Sequence, residues 1–303
     1  MRDVPSPTTK RKVLGHELRH LRQRAELDIT DSELLSVLDR SWSVLSKLEN
    51  GITGIRQGPL RDLVTFYKEK IGTDAAGGPA DGGDPIDLEE FAELNRGAEN
   101  RGRWRGHRGV YSKWFRAAVD FEQDASAINI YLTELVHGLF QTEAYMQALF
   151  APVHEPNAKT AAQVKARLER QEVLNRPDVE VTAILSESCL RRMIGSRDVM
   201  LHQMLYLAEV AMRPNVHIHV LPFATPVVPK AHSYPFVYFR IPSASPRTPP
   251  LETVLVEQFT NCDYLDGFQD LADYSGLWTG LLGAALDPAV SRDFLLRAAK
   301  DYE

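Results

Sequence analysis

The apolar positions of residues 1–72 repeat with the period of short helices. In VLGHELRHLRQR, residues 13–24, Val13, Leu14, Leu18 and Leu21 share one face, while Arg19, Arg22 and Arg24 fall elsewhere. Thr30 reads as an N-cap with Glu33 as its capping-box partner, opening a helix over Asp31–Leu38 whose Leu34, Leu35 and Leu38 are apolar. After a break at Asp39-Arg40, Ser41 is a cap for a helix to about Asn50, which Gly51 ends as helices commonly end. Pro59 stands near the start of a further helix, LRDLVTFYKEKI, with Leu60, Leu63, Val64, Tyr67 and Ile71 turned inward. The pattern then stops. GTDAAGGPADGGDP, residues 72–85, has no apolar period and reads as a flexible linker.

A second domain starts near Ile86. LEEFAELNRGAENR looks helical, RGRWRGHRGVYSKWF is basic with interleaved aromatics, and a helix is expected around Trp114–Ala125. Five runs then have strand character: AINIYLTEL, VEVTAIL, VHIHVLPF, FVYFRIP and TVLVEQF. Helical stretches lie between them at Thr142–Phe150, Ala158–Asn175 and Arg197–Met212, and two more helices broken near Pro288 close the chain. The pattern predicts an α+β protein: an all-α helix-turn-helix domain over 1–72, a flexible linker over 73–87, and an α+β domain of about five strands over 88–303.

Composition and charge narrow the function classes. The 303 residues are 44% hydrophobic and 25% charged, as in ordinary globular proteins. No run of about 18 apolar residues spans a membrane, and the basic N-terminus, MRDVPSPTTKRK, lacks the apolar core of a signal peptide. A cytoplasmic location is expected. Two scattered cysteines, Cys189 and Cys262, make neither a disulfide framework nor a zinc site and read as buried thiols. The net charge of −6 is unevenly spread: residues 1–72 hold 13 Lys+Arg against 10 Asp+Glu, leaving the rest near −9. A mildly basic module on an acidic body is compatible with DNA, because phosphate contact is local.

A helix-turn-helix braces a second helix, laid in the major groove, with a first. The packing asks for a small residue, a turn residue four later, and an apolar residue six beyond that; here these are Leu35, Asp39 and Leu45. Only Leu45 fits well, since Ala and Gly are usual at the other two. The helix after the turn still offers an outer face of Ser41, Trp42, Ser43, Ser46 and Lys47, suited to base edges, a thymine methyl or phosphates. The other reading of these residues is a small bundle in which Trp42 is partly buried.

The segments LGHELRHLRQR, SVLSKLENG and LRDLVTFY resemble the Xre-type helix-turn-helix domain, whose recognition helix ends in a Ser-Arg-Ile-Glu-Asn-Gly pattern; here that is Ser46-Lys47-Leu48-Glu49-Asn50-Gly51. Downstream, HGLFQTEAY, residues 137–145, resembles a Pro-Gly-Leu-Leu-Gln-Thr signature of a domain of unknown function that follows this module in actinobacterial, WhiJ-like regulators. His137 and Phe140 replace its Pro and Leu. RLERQEVLNR, residues 167–176, resembles that domain's Arg-rich helix; the block SESCLRRMIGSRDVMLHQMLYLAEVAMRPNVHIHVLPF and VEQF resemble its later parts. The resemblance implies a DNA-binding transcriptional regulator. It also implies a small acidic protein as a partner, since such proteins are often encoded beside family members.

Other chemistry is weaker. His217-Ile218-His219 puts two imidazoles on one strand face, and His232 is a third candidate ligand, but half-buried histidines flanking a core Ile are the commoner arrangement. No nucleophile elbow, phosphate-binding Gly loop or zinc-protease helix occurs. Glu187 and Glu257 sit near strand ends and are candidates for polar groups in a cleft, but exposed carboxylates are the far commoner arrangement. Arg96, Arg101, Arg103, Arg105, Arg108, Lys113 and Arg116, with Trp104, Tyr111 and Trp114, are candidates for phosphate contact or for docking. Gln141 and Thr142 are candidates to line a ligand or partner pocket; otherwise Thr142 caps a helix.

The residues favour a sequence-specific DNA-binding regulator that acts on double-stranded DNA as a homodimer. Ser41, Trp42, Ser43 and Ser46 would sit in the groove, and Lys47 and Arg56 on phosphates. A small-molecule effector or protein partner would act through the C-terminal domain, with no cofactor, metal or catalytic residue. The alternatives are a protein-interaction or antitoxin-like module that binds no DNA alone, and a small-molecule enzyme.

Overall fold

Helix α1 (Pro7–Arg24) lays Leu14, Leu18 and Leu21 into a core shared with α2 (Ser32–Leu38), α3 (Trp42–Glu49), α4 (Gln57–Ile71) and α5 (Leu88–Glu99). The computed structural model describes residues 7–73, 78–83, 85–99, 110–112, 115–150, 158–226, 235–243 and 248–303. The expected inner face of α4 is the observed one: Leu60, Leu63, Val64, Tyr67 and Ile71 are all buried. The N-cap of α2 is Asp31, not Thr30. Asp31 accepts from the Leu34 amide at 3.0 Å, while the Thr30 hydroxyl and amide are taken by Asp28.

The compact units divide differently from the partition expected at residues 73–87. One unit comprises Met1–Gly106 with Ile241–Leu251, the other His107–Arg240 with Glu252–Glu303. Helix α5 belongs to the first because Ile86 and Phe91 complete its core, and Asn95 Nδ2 donates to the Ile55 carbonyl at 2.9 Å. Part of the expected linker is held as well. Arg24 grips Asp81 with two bonds, of 2.7 and 3.0 Å, which lowers the Asp81 carboxyl to about 2.

The second unit is built on a six-stranded sheet in the order β3-β2-β1-β4-β5-β6. Its strands are β1 (Ala127–Leu132), β2 (Glu180–Ser186), β3 (Val216–Leu221), β4 (Phe236–Ile241), β5 (Leu251–Glu257) and β6 (Cys262–Leu265). Strands β1, β2 and β3 run parallel, with Ile130 opposite Ala183 and Ala183 opposite Ile218. Strand β4 joins β1 antiparallel, and β6 joins β5 antiparallel. Central β2 is buried on both faces, as a parallel strand covered by helices must be. Edge strand β3 alternates: Val216, Ile218 and Val220 face inward, and His217 and His219 are half-buried.

The helices of this unit are α6 (Arg116–Asp124), α7 (Glu143–Phe150), α8 (Ala158–Arg170), α9 (Glu187–Arg191), α10 (Arg197–Val210), α11 (Phe268–Ala284) and α12 (Pro288–Lys300). Asp287 caps α12 by accepting from Val290, with Pro288 in the first turn, where its missing N–H costs nothing. Cys189 is a buried thiol raised to about 12 by burial, whereas Cys262 is only half-buried; the two form no disulfide. Among the described residues no helix is long and apolar enough to cross a membrane.

Candidate functional site

Helix α2 ends at Asp39, whose backbone is left-handed (φ 48°, ψ 44°). The Asp39 amide bonds the Leu35 and Ser36 carbonyls, and the Arg40 amide bonds the Leu35 carbonyl at 3.3 Å. Glycine costs least in this conformation, and Asp is among the few other residues that tolerate it. The turn therefore has the geometry for which Gly is usual. Leu35 is partly buried and packs on the helical core, so the bulkier side chain is accommodated.

Helix α3 then splits its residues between two roles. Leu45 and Leu48 are buried; Ser41, Trp42 and Lys47 are exposed, and Ser43 and Ser46 are partly so. Trp42 is 55% exposed, so nearly half of it is covered. Ser41 occupies the cap position, but its hydroxyl lies 3.3 Å from that of Ser43 and bonds no helix amide. Arg56, at the start of α4, is exposed.

The end of α3 faces inward. The Glu49 side chain is only 2% exposed and takes two bonds from Arg22, Nε–Oε1 at 2.7 Å and Nη2–Oε2 at 2.9 Å. The Glu49 bond dominates in raising the Arg22 pKa. Arg19 donates to Asn50 Oδ1. Two glycines permit this docking. A Cβ on Gly15 would lie 2.5 Å from the Glu49 carbonyl oxygen, and Gly51 (φ +66°) would bring one to 2.9 Å from the Lys12 Cα. In Ser46-Lys47-Leu48-Glu49-Asn50-Gly51, the last four residues fix the helix and the first two are presented outward.

The second unit holds a cavity of about 500 Å³. It lies beside the end of β1, the short 3-10 turn Gly138–Phe140, the last turns of α8, and the end of β5. Gln141 lines it. Its Nε2 donates to the Val136 carbonyl at 2.6 Å, and its Oε1 accepts from Arg167 Nη1 at 2.7 Å. Thr142 does not line it. Its hydroxyl caps α7 by accepting from the Tyr145 amide at 3.2 Å, and its own amide donates to Gln203. His137 caps the 3-10 turn, Nδ1 accepting from the Leu139 amide at 3.3 Å. Burial, then Arg170 and Arg167, hold its imidazole down to about 3, so it is neutral near pH 7 with the proton on Nε2.

Two arginines line the same cavity. Arg170 is buried and paired twice with Glu122, through Nε–Oε2 at 2.7 Å and Nη2–Oε1 at 2.5 Å, and its guanidinium lies 4.9 Å from the Phe115 ring centre. Arg167 stacks 4.9 Å from the Phe150 ring centre and bonds only the neutral Gln141; among the described residues it has no ion-pair partner. Burial, then Arg170, lowers the Arg167 guanidinium to about 10. Glu257 also lines the cavity, with its pKa raised by burial. In the sequence Arg167 and Arg170 stand out only as members of an Arg-rich helix; their spacing of three residues, which puts both on one helix face, is the signal that links them.

The remaining candidates separate. Glu187 pairs with Arg191 and accepts from the Phe223 amide at 2.9 Å. His217 stands 3.8 Å from Glu180, and His219 Nδ1 donates to the Leu286 carbonyl at 2.9 Å. Among the described residues no three His, Cys, Asp or Glu side chains are grouped to hold a metal, and His232 lies outside them. Arg101, Arg103, Trp104, Arg105, Arg108, Lys113 and Trp114 also lie outside the described residues. Tyr111 donates to the Ala166 carbonyl at 2.8 Å, and Arg96 pairs with Glu89.

A family model described as a domain of unknown function, DUF5753, matches residues 115–297. No curated protein and no solved structure matches the chain.

Proposed function

The chain belongs to the DUF5753 family, and from that premise we propose that it is a sequence-specific DNA-binding transcriptional regulator, acting in the cytoplasm and controlled through its family domain. The observation that carries this reading is the division of α3: Glu49 and the two leucines are held inward, while Ser41, Trp42, Ser43, Ser46 and Lys47 are presented on the other side of a left-handed turn. The Xre-type resemblance of the N-terminal helices supports it. Trp42 and the serines read the groove, and Lys47 and Arg56 hold phosphates. One such helix touches few base pairs, so two copies on a two-fold site supply the affinity.

Selection from a pool of randomised duplexes tests this. The expected product is a motif of two related half-sites about 10 base pairs apart, centre to centre. A pool that stays random overturns it.

The second reading is a protein-interaction module, favoured by the apolar exposure of Trp42, Val44 and Ile52 at 55%, 36% and 65%. A small acidic partner fits it. That module retains its partner with no DNA present and selects no motif. The third is a small-molecule enzyme, for which the groups around the cavity are the candidate site among the described residues.

A further inference from the structure

We propose that the cavity of the second unit takes a small organic monoanion, a carboxylate, sulfonate or phosphate diester on an aromatic or alkyl body, with the anion on Arg167 and the body against Phe115, Leu149 and Leu255. This rests on the reading of the family domain as the regulator's control element, and it names the chemistry of the effector.

The charges around the cavity do not balance by pairs. Arg170 and Glu122 neutralise each other through two bonds. Among the described residues Arg167 is left with one bond, to a neutral amide, while the Glu257 and Glu122 carboxylates act on it only through space. A partly buried cation whose hydrogen bond goes to a neutral group is costly, and an anion meeting its guanidinium directly is held by charge-assisted, two-pronged bonds. The guanidinium is already positioned for this. Gln141 holds Nη1 at 2.7 Å and Phe150 supports the plane. Gln141 is itself fixed through Val136 and through Gln171, which donates to the Gln141 carbonyl at 2.7 Å. Little ordering of the receptor remains to oppose binding.

Glu257 sets the limit on charge. Its carboxylate lines the same cavity, makes no side-chain hydrogen bond or ion pair among the described residues, and feels Arg170 and Arg167 only through space. A second negative charge on the ligand would meet it, whereas a ligand hydroxyl or amine would donate to it. The cavity of about 500 Å³ lies within the roughly 300–1,000 Å³ range of small-molecule sites.

The test is a fluorescence titration of the full-length chain, without DNA, using two probes of nearly the same aromatic body. One is anilinonaphthalene sulfonate, the other its uncharged counterpart N-phenylnaphthylamine. The expected result is one saturable site that prefers the sulfonate by about tenfold or more. In Arg167→Gln the preference disappears while the uncharged probe still binds; Arg167→Lys keeps part of it. Leu149→Trp, which fills the cavity from its apolar wall, excludes both probes and decides the matter should Arg167→Gln not fold. Equal affinities in the unaltered chain, a preference that survives Arg167→Gln, or binding that survives Leu149→Trp overturns the proposal. DNA selection by the same preparation is read separately. A motif with no probe preference sinks the anion site alone, and a probe preference with no motif sinks the regulator alone.

Discussion

Glu49 is the residue on which the orientation of α3 depends. Its buried carboxylate is paired twice to Arg22, and Arg19 Nε lies 3.7 Å away. Removing one partner of such a pair leaves the other charge buried alone, at about 3–5 kcal/mol. Glu49→Gln is therefore expected to lower the urea midpoint steeply, while Lys47→Ala, on the exposed side, shifts stability by no more than about 0.5 kcal/mol. His137 gives a pH signature. Its imidazole stays neutral in the folded chain down to about 3, whereas the unfolded one titrates near 6.5. Below 6.5 the unfolded chain binds the extra proton, so this contribution to stability is whole above 6.5 and drains away as the pH falls toward 3. His137→Asn keeps an acceptor for the Leu139 amide and removes the titration. The unaltered protein should lose more stability than this variant between pH 7 and pH 4. Parallel curves would show that His137 is not held neutral.

At the scale of elements, the junction of α1 with α3 and the turn after α2 make opposite demands on small residues. Gly15→Ala ought to favour helix by about 1 kcal/mol, yet its Cβ would press within 2.5 Å of the Glu49 carbonyl oxygen. A net loss of about 1–3 kcal/mol by chemical denaturation is expected. Asp39→Gly should gain up to about 1 kcal/mol, because the left-handed turn strains any residue with a Cβ, and Asp39→Val should lose stability.

The helices around this junction were legible because each shows one apolar face at helical spacing. What periodicity does not carry is the neighbour. It marked Phe91 as apolar but not that it would join the N-terminal helices. Thr30 and Asp31 are both competent caps, and only the competing pull of Asp28 on Thr30 decides between them. Strand β6 escaped notice because Cys262–Leu265 is a short edge with no alternation to read. The cavity was half legible. Gln141 sits in a recognisable stretch, but Arg167 reaches it from 26 residues away, and Glu122 stands 48 residues from the Arg170 it neutralises.

For the whole molecule, the charge is divided between a module near +3 over residues 1–72 and a remainder near −9. An acidic protein that binds DNA through one small basic surface should show modest salt dependence and a strong dependence on a few side chains. The measurement that tests this most directly is retention of fragmented genomic DNA by the purified full-length chain at two salt concentrations, with sequencing of what is held. The expected result is a small set of shared sites. Trp42→Ala should abolish their enrichment, and Lys47→Ala should weaken retention across all of them and reduce the salt slope by about one. No enriched sequence at either salt, or the same sites held equally by both folded variants, would contradict the assignment of α3 to the DNA groove.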